Sequence, residues 1–192
     1  EYEVKLIARG LEVPWGMVFA GDERILVTER PGRIRVIENG SLVGKPIHVF
    51  SEVSATSEEG LMGIELHPDY DFNKLVYVCL AYESDGKLVD KVVRFEDKGD
   101  EIGEVELILD NIPAAKFHAG CRVAFGPDGK LYVTTGDALN KELAQDLDSL
   151  AGKILRLNDD GSVPEDNPLF NSLVYSYGHR NPQELTGIRK LE

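Results

Sequence analysis

Positive charge is scarce in this chain: 21 Lys and Arg stand against 34 Asp and Glu, leaving a formal net charge of −13 over 192 residues. Such a surface repels polyanions, which excludes nucleic acid and anionic membrane as general partners and means that an anionic ligand needs a local cation or a metal ion. Long apolar runs are missing too. No stretch approaches the roughly 20 residues of a spanning helix, so no membrane span is expected, and no signal-like apolar region opens the chain. The first residue is Glu1 rather than methionine, which reads as a processed or trimmed start. Cysteine is limited to Cys79 and Cys121, which form neither a disulfide framework nor a zinc spacing. Cys79, inside Leu75-Val76-Tyr77-Val78-Cys79-Leu80, reads as a buried thiol, and the redox compartment stays open. Helical periodicity is rare, with one short turn at most between Glu142 and Leu150.

What is abundant is short apolar strand and tight turn. Apolar residues make up 42% and charged residues 29%, values of a globular chain long enough to bury a sizeable core. Tyr2 to Ala8 reads as a first strand. Met17 to Phe19, Ile25 to Thr28 and Ile34 to Ile37 follow, separated by Gly21-Asp22 and Pro31-Gly32. A second pass runs through Leu61 to Leu66, Leu75 to Tyr82, and Lys91 to Phe95 as an outer strand. A third starts at His118, returns through Leu131 to Thr135 and ends on Lys153 to Leu157; Val174 to Gln183 begins a fourth. Phe19, Leu66 and Phe125 occupy equivalent places about 47 and 59 residues apart, the period of β-propeller blades. An all-β propeller is therefore expected, with residues 1–192 forming one incomplete domain of about three blades and the start of a fourth. Open sheet edges predict self-association.

The segment from Lys116 to Gly129 organises the chemistry. It places His118 on a loop before the short strand Arg122 to Phe125, and Gly126-Pro127-Asp128-Gly129 turns the chain back. Alone, such a histidine is more often surface decoration. The repeats alter that reading: Glu58, His118 and Arg180 stand about seven or eight residues before equivalent strand positions in successive units. They converge on one mouth of the propeller channel, bringing together a carboxylate, an imidazole and a guanidinium. Asp128 and Asp160, each before glycine, read as turn residues, as does His67 before Pro68. His179 reads as a hydrogen-bonding neighbour of its loop, Trp15 as core or channel lining, and Gln145, Asp146 and Lys153 as structural hydrogen-bonding groups.

An ordered series of motifs carries a resemblance. Val13-Pro14-Trp15-Gly16, Thr28-Glu29-Arg30-Pro31-Gly32-Arg33, Gly60-Leu61-Met62-Gly63 with Leu66-His67-Pro68, and His118 through Arg122 come first. Phe125-Gly126-Pro127-Asp128-Gly129, Ala144-Gln145-Asp146-Leu147, Gly152-Lys153-Ile154-Leu155-Arg156 and Gly178-His179-Arg180-Asn181-Pro182-Gln183 complete it. In this order they resemble the N-terminal half of the soluble pyrroloquinoline-quinone-dependent aldose (glucose/sorbosone) dehydrogenases.

The resemblance implies a six-bladed propeller whose axial cleft holds the quinone beside calcium. It also implies oxidation of an aldose to a lactone and a periplasmic or extracellular location. His118 maps to the catalytic base, Arg180 and Asn181 to cofactor contacts, Glu58 to a position near cofactor and sugar, and Gln183 to a further contact. The electron acceptor is left open. Ala119 and Cys121 depart from the aromatic residue and glycine frequent in the family, and a side chain at Cys121 is expected to crowd the cleft or shift His118. Glu184 to Lys190 departs as well. The family's Glu-His-Gly-Pro segment, its calcium ligands and the basic residues of its last blades have no counterpart in these 192 residues, so little activity is expected of this chain alone. Two rival readings are a non-catalytic propeller that binds protein or carbohydrate, and a metal-dependent sugar lactonase. Only Glu58 and Asn181 offer themselves as ligands for the lactonase.

Overall fold

A computed structural model describes residues 2–187, and in it the strands and turns assemble into three antiparallel sheets, each made from strands consecutive in the chain. The first joins β1 (Pro14–Phe19), β2 (Arg24–Glu29) and β3 (Arg33–Glu38), with β4 (Ser41–Leu42) and β5 (His48–Val49) both pairing with β3. The second runs β6 (Leu61–Leu66), β7 (Leu75–Ser84), β8 (Lys87–Glu96), β9 (Glu106–Pro113), with the short helix α1 (Tyr70–Asn73) between β6 and β7. The third runs β10 (Gly120–Phe125), β11 (Leu131–Thr135), β12 (Lys153–Leu157), β13 (Val174–Tyr177), with α2 (Lys141–Gln145) between β11 and β12. These are three consecutive propeller blades. Phe19, Leu66 and Phe125, the repeat positions, end the first strand of each blade.

The first strands lie side by side, β6 touching both β1 and β10. Glycines allow that approach: a methyl group at Gly63 would stand 2.5 Å from the Cys121 carbonyl oxygen, so no larger residue fits. The space between blades is filled by β7, whose alternating side chains point into two cores. Val76, Val78 and Leu80 join Leu26, Ile34, Ile64 and Phe95 between the first and second blades. Tyr77, Cys79 and Ala81 join Val123, Leu131, Val133 and Leu155 between the second and third. A strand buried on both faces reads as an unbroken apolar run, and each fully buried aliphatic side chain contributes about 1.5–3 kcal/mol.

Four expectations change. Tyr2 to Ala8 pairs with no described strand; Tyr2 is 102% and Val4 95% exposed, because alternation makes a strand only where a sheet edge receives it. Lys91 to Phe95 lies inside its sheet, and Glu106–Pro113 is the outer strand. Val174–Tyr177 pairs with β12 and completes the third blade. Finally, Cys79 is not a thiol: it is bonded to Cys121, with Cα atoms 6.0 Å apart.

Lys153, fully buried, explains how the chain above the third blade is held. Its ammonium donates to the carbonyls of Leu143 (2.7 Å), Ala144 (3.2 Å) and Ala151 (2.6 Å), satisfying carbonyls around the end of α2. Burial lowers its pKa, against the pull of Asp146. Asn140 caps the other end, accepting from Glu142 N–H at 3.2 Å.

Candidate active site

At the end of the blades where β10 begins, the loops before β6 and β10 meet. Glu58 N–H donates to the Lys116 carbonyl at 2.9 Å, and the Glu58 carboxylate accepts the His118 N–H at 3.0 Å. Beside Glu58, the wholly buried Glu59 ties its own loop. Burial opposes its charge, but hydrogen bonds from the Thr56 hydroxyl and the Thr56 and Ser57 amides hold its pKa below the usual carboxylate value. His118 itself has φ +58°, the left-handed region that a non-glycine residue adopts only when its neighbours enforce it.

Those neighbours come from the segment following β11. Asp137 Oδ1 stands 2.8 Å from His118 Nδ1, with the two side chains 8% and 14% exposed. A carboxylate can only accept, so Nδ1 carries the proton it receives, and in the neutral imidazole the Nε2 lone pair remains for another partner. Asp137 is fixed in turn: its Oδ1 accepts from Leu139 N–H at 2.9 Å and its own N–H donates to the Arg180 carbonyl at 2.8 Å. Gly136 makes this packing possible, since any Cβ there would run into the His118 carbonyl.

Glu58 and His118 are thus brought together. Asn181 joins them by accepting the Gly120 N–H on its Oδ1 at 3.1 Å, which leaves its amide N–H groups to donate elsewhere. Arg180 contributes its carbonyl to Asp137, and its exposed side chain makes no hydrogen bond or ion pair with any described residue. Gln183 is exposed; its carbonyl accepts from Arg122 Nε at 3.2 Å. Arg122 continues the polar line down the first strands, its guanidinium 4.3 Å from the Trp15 ring centre and 3.3 Å from the Glu184 carboxylate. Cys121 does not crowd the cleft: its side chain is buried between blades. The residue that sequence reasoning missed is Asp137. Its signal was a carboxylate just past a returning strand, at the same blade end as His118, because Gly120 pairs with Thr135.

His67 is a structural turn residue: its Nδ1 accepts the Asp69 N–H at 3.0 Å. His179 Nε2 lies 2.8 Å from Ser176 Oγ. Asp128 and Asp160 do sit in turns, and Asp128 also pairs with Arg156 at 2.9 Å.

Against proteins of known family, the model of the family described as Glucose / Sorbosone dehydrogenase matches residues 11–190. This chain belongs to the glucose/sorbosone dehydrogenase family. Quinoprotein glucose dehydrogenase B of Acinetobacter calcoaceticus is 32% identical over 96% of this chain and 45% of its own length. Aldose sugar dehydrogenase YliI of Escherichia coli is 29% identical over 94% of this chain and 52% of its own. The solved PQQ-bound aldose sugar dehydrogenase of Streptomyces coelicolor superposes with a TM-score of 0.83 at 36% identity, covering 93% of this chain and 54% of that one. The fold is accordingly that of the β-propeller sugar dehydrogenases, and the chain spans about half the length of the curated relatives it matches.

The described residues of this glucose/sorbosone dehydrogenase chain fit one side of a quinone site. The His118 imidazole, the Asn181 amide and the Arg180 backbone meet at one blade end, and His118 Nε2, the Asn181 amide N–H groups and the Arg180 guanidinium have no hydrogen-bond partner among the described residues. Among the described residues no group of three or more His, Cys, Asp or Glu side chains could hold a metal ion, so calcium rests on the resemblance alone. No described helix is long and apolar enough to cross a membrane.

Proposed function

We propose that this protein oxidises aldose sugars to lactones with pyrroloquinoline quinone as hydride acceptor, and that His118 is the base. The observation that carries this reading is the His118 Nδ1–Asp137 Oδ1 contact of 2.8 Å, which orients a largely buried imidazole and leaves Nε2 as acceptor. When bound, the quinone supplies an electrophilic centre that takes hydride from the anomeric carbon. His118 Nε2 accepts the anomeric hydroxyl proton, and Asp137 stabilises the imidazolium that forms. Arg180 supplies the local positive charge that an anionic cofactor needs on a chain of net charge −13. Asn181, Glu58 and Gln183 line the same side, Asn181 through its remaining amide donors. The site is periplasmic or extracellular, a reading supported by the disulfide, since such bonds persist in oxidising compartments.

The test is equilibrium binding of the quinone with calcium present, followed by aldose oxidation with an artificial electron acceptor. Because the relatives are about twice as long, the assay uses the longest protein that carries this chain. Quinone-dependent turnover is expected. Tight quinone binding without any sugar oxidation would favour a non-catalytic propeller.

A further inference from the structure

β10 is the strand that His118 leads into; its first residue, Gly120, pairs with Thr135, but the two residues after it stand outside the regular ladder. Its register with β11 is broken between Gly120 and Val123, and Arg122 N–H bonds the Thr134 hydroxyl at 2.9 Å instead. Cys121 lies inside this irregular stretch, three positions beyond a histidine with φ +58°. Its partner stands on firmer ground. Cys79 is in the middle of the ten-residue β7, opposite Val92 in an unbroken register with β8. Both cysteines are fully buried in the core between the second and third blades, and their Cα separation of 6.0 Å lies within the range of an ordinary disulfide.

We propose that the Cys79–Cys121 disulfide is a positioning element of the candidate site, tying the start of β10 and the His118 loop to the rigid strand β7 of the neighbouring blade. The reasoning is mechanical. Residues outside the regular ladder open more easily unless something else fixes them, and a non-glycine left-handed residue relaxes when its surroundings loosen. Hydrogen bonds hold the loop at Lys116 (from Glu58 N–H), at His118 (to the Glu58 and Asp137 carboxylates) and at Gly120 (to Asn181), whereas the disulfide holds it covalently. It adds a bond across the blade boundary where the register with β11 skips Cys121 and Arg122. Its relevance to turnover rests on the reading of His118 as the base; the positioning itself does not.

The first measurement counts thiols in the purified protein denatured without reductant. No reactive thiol is expected, and two per chain would overturn the proposal. The second compares amide hydrogen exchange and the His118 ring resonances of the wild type with those of Cys79→Ser/Cys121→Ser. A volume-keeping pair, Cys79→Val/Cys121→Ala, serves if the serine pair fails to fold. Exchange at Ala119 to Arg122 should quicken about tenfold or more, with β7 and β8 unchanged. Equal exchange at those amides, or a uniform rise across all three sheets, would show that the bond does not position the loop. None of these measurements needs sugar or quinone. A loosened loop in a protein that never oxidises sugar would therefore sink the dehydrogenase reading and leave the positioning role standing.

Discussion

The carboxylate of Glu58 accepts the backbone N–H of His118 at 3.0 Å, across sixty positions of sequence and the boundary between two blades. The loop entering the second blade therefore holds the loop entering the third. Glu58→Ala leaves that N–H without its acceptor, at a cost of about 1–3 kcal/mol in keeping the loop formed. Glu58→Gln keeps an acceptor oxygen and should recover most of it. Exchange rates of the His118 amide check the pair; matching rates in wild type and the alanine variant would refute the bond's role.

His118→Ala should lower sugar oxidation by about 10²–10⁴-fold while quinone affinity stays close to wild type. Asp137→Asn keeps the shape but can present an N–H to Nδ1, favouring the tautomer whose proton sits on Nε2. It should lose about 10²-fold in turnover, with little change in KM. Steady-state kinetics on both variants decide this, and near wild-type turnover in either would contradict the roles assigned.

Gly136→Ala is expected to be severely destabilising, by about 3 kcal/mol or more, because its methyl would collide with the His118 carbonyl and push the two loops apart. Gly44→Ala is the control: nothing lies within 4 Å of a methyl there, and its effect should stay within about 0.5 kcal/mol. Urea midpoints of the two variants measure the contrast.

Glu65, on β6, gives a pH signature. Burial raises its pKa from 4.5 to about 7, outweighing the Leu66 N–H and the positive charge of Arg122. The folded state thus holds this proton more tightly than the unfolded chain, so the contribution of Glu65 to stability falls as pH rises from about 4.5 to about 7 and then levels. Glu65→Gln removes that dependence. The variant should gain on wild type through this window and remain ahead at higher pH. Denaturant unfolding across the range tests it, and parallel stability curves would count against a half-buried, titrating Glu65.

Much of the architecture is written locally. Gly-Pro-Asp-Gly and its counterparts place the turns, and short β-branched runs between them must pair with neighbours one turn away, so three sheets in chain order follow from nearest-neighbour pairing alone. The regular recurrence of Leu66 and Phe125 likewise sets Glu58 and His118 ahead of equivalent strands, and the structure joins the two by a hydrogen bond. Three features lay beyond that reading because each depends on distance in space. The Tyr2 to Ala8 alternation needs an edge to join, and pattern alone supplies none. Asp137 acts on His118 only because β11 returns antiparallel to β10 and delivers its next residues beside the loop. Cys79 and Cys121, 42 positions apart, bond because β7 and β10 press together across a blade boundary. Local pattern settles where the turns and most of the strands lie. Only the packing of one blade on the next decides which side chains meet, since those contacts are set by the rotation between sheets and not by spacing along the chain.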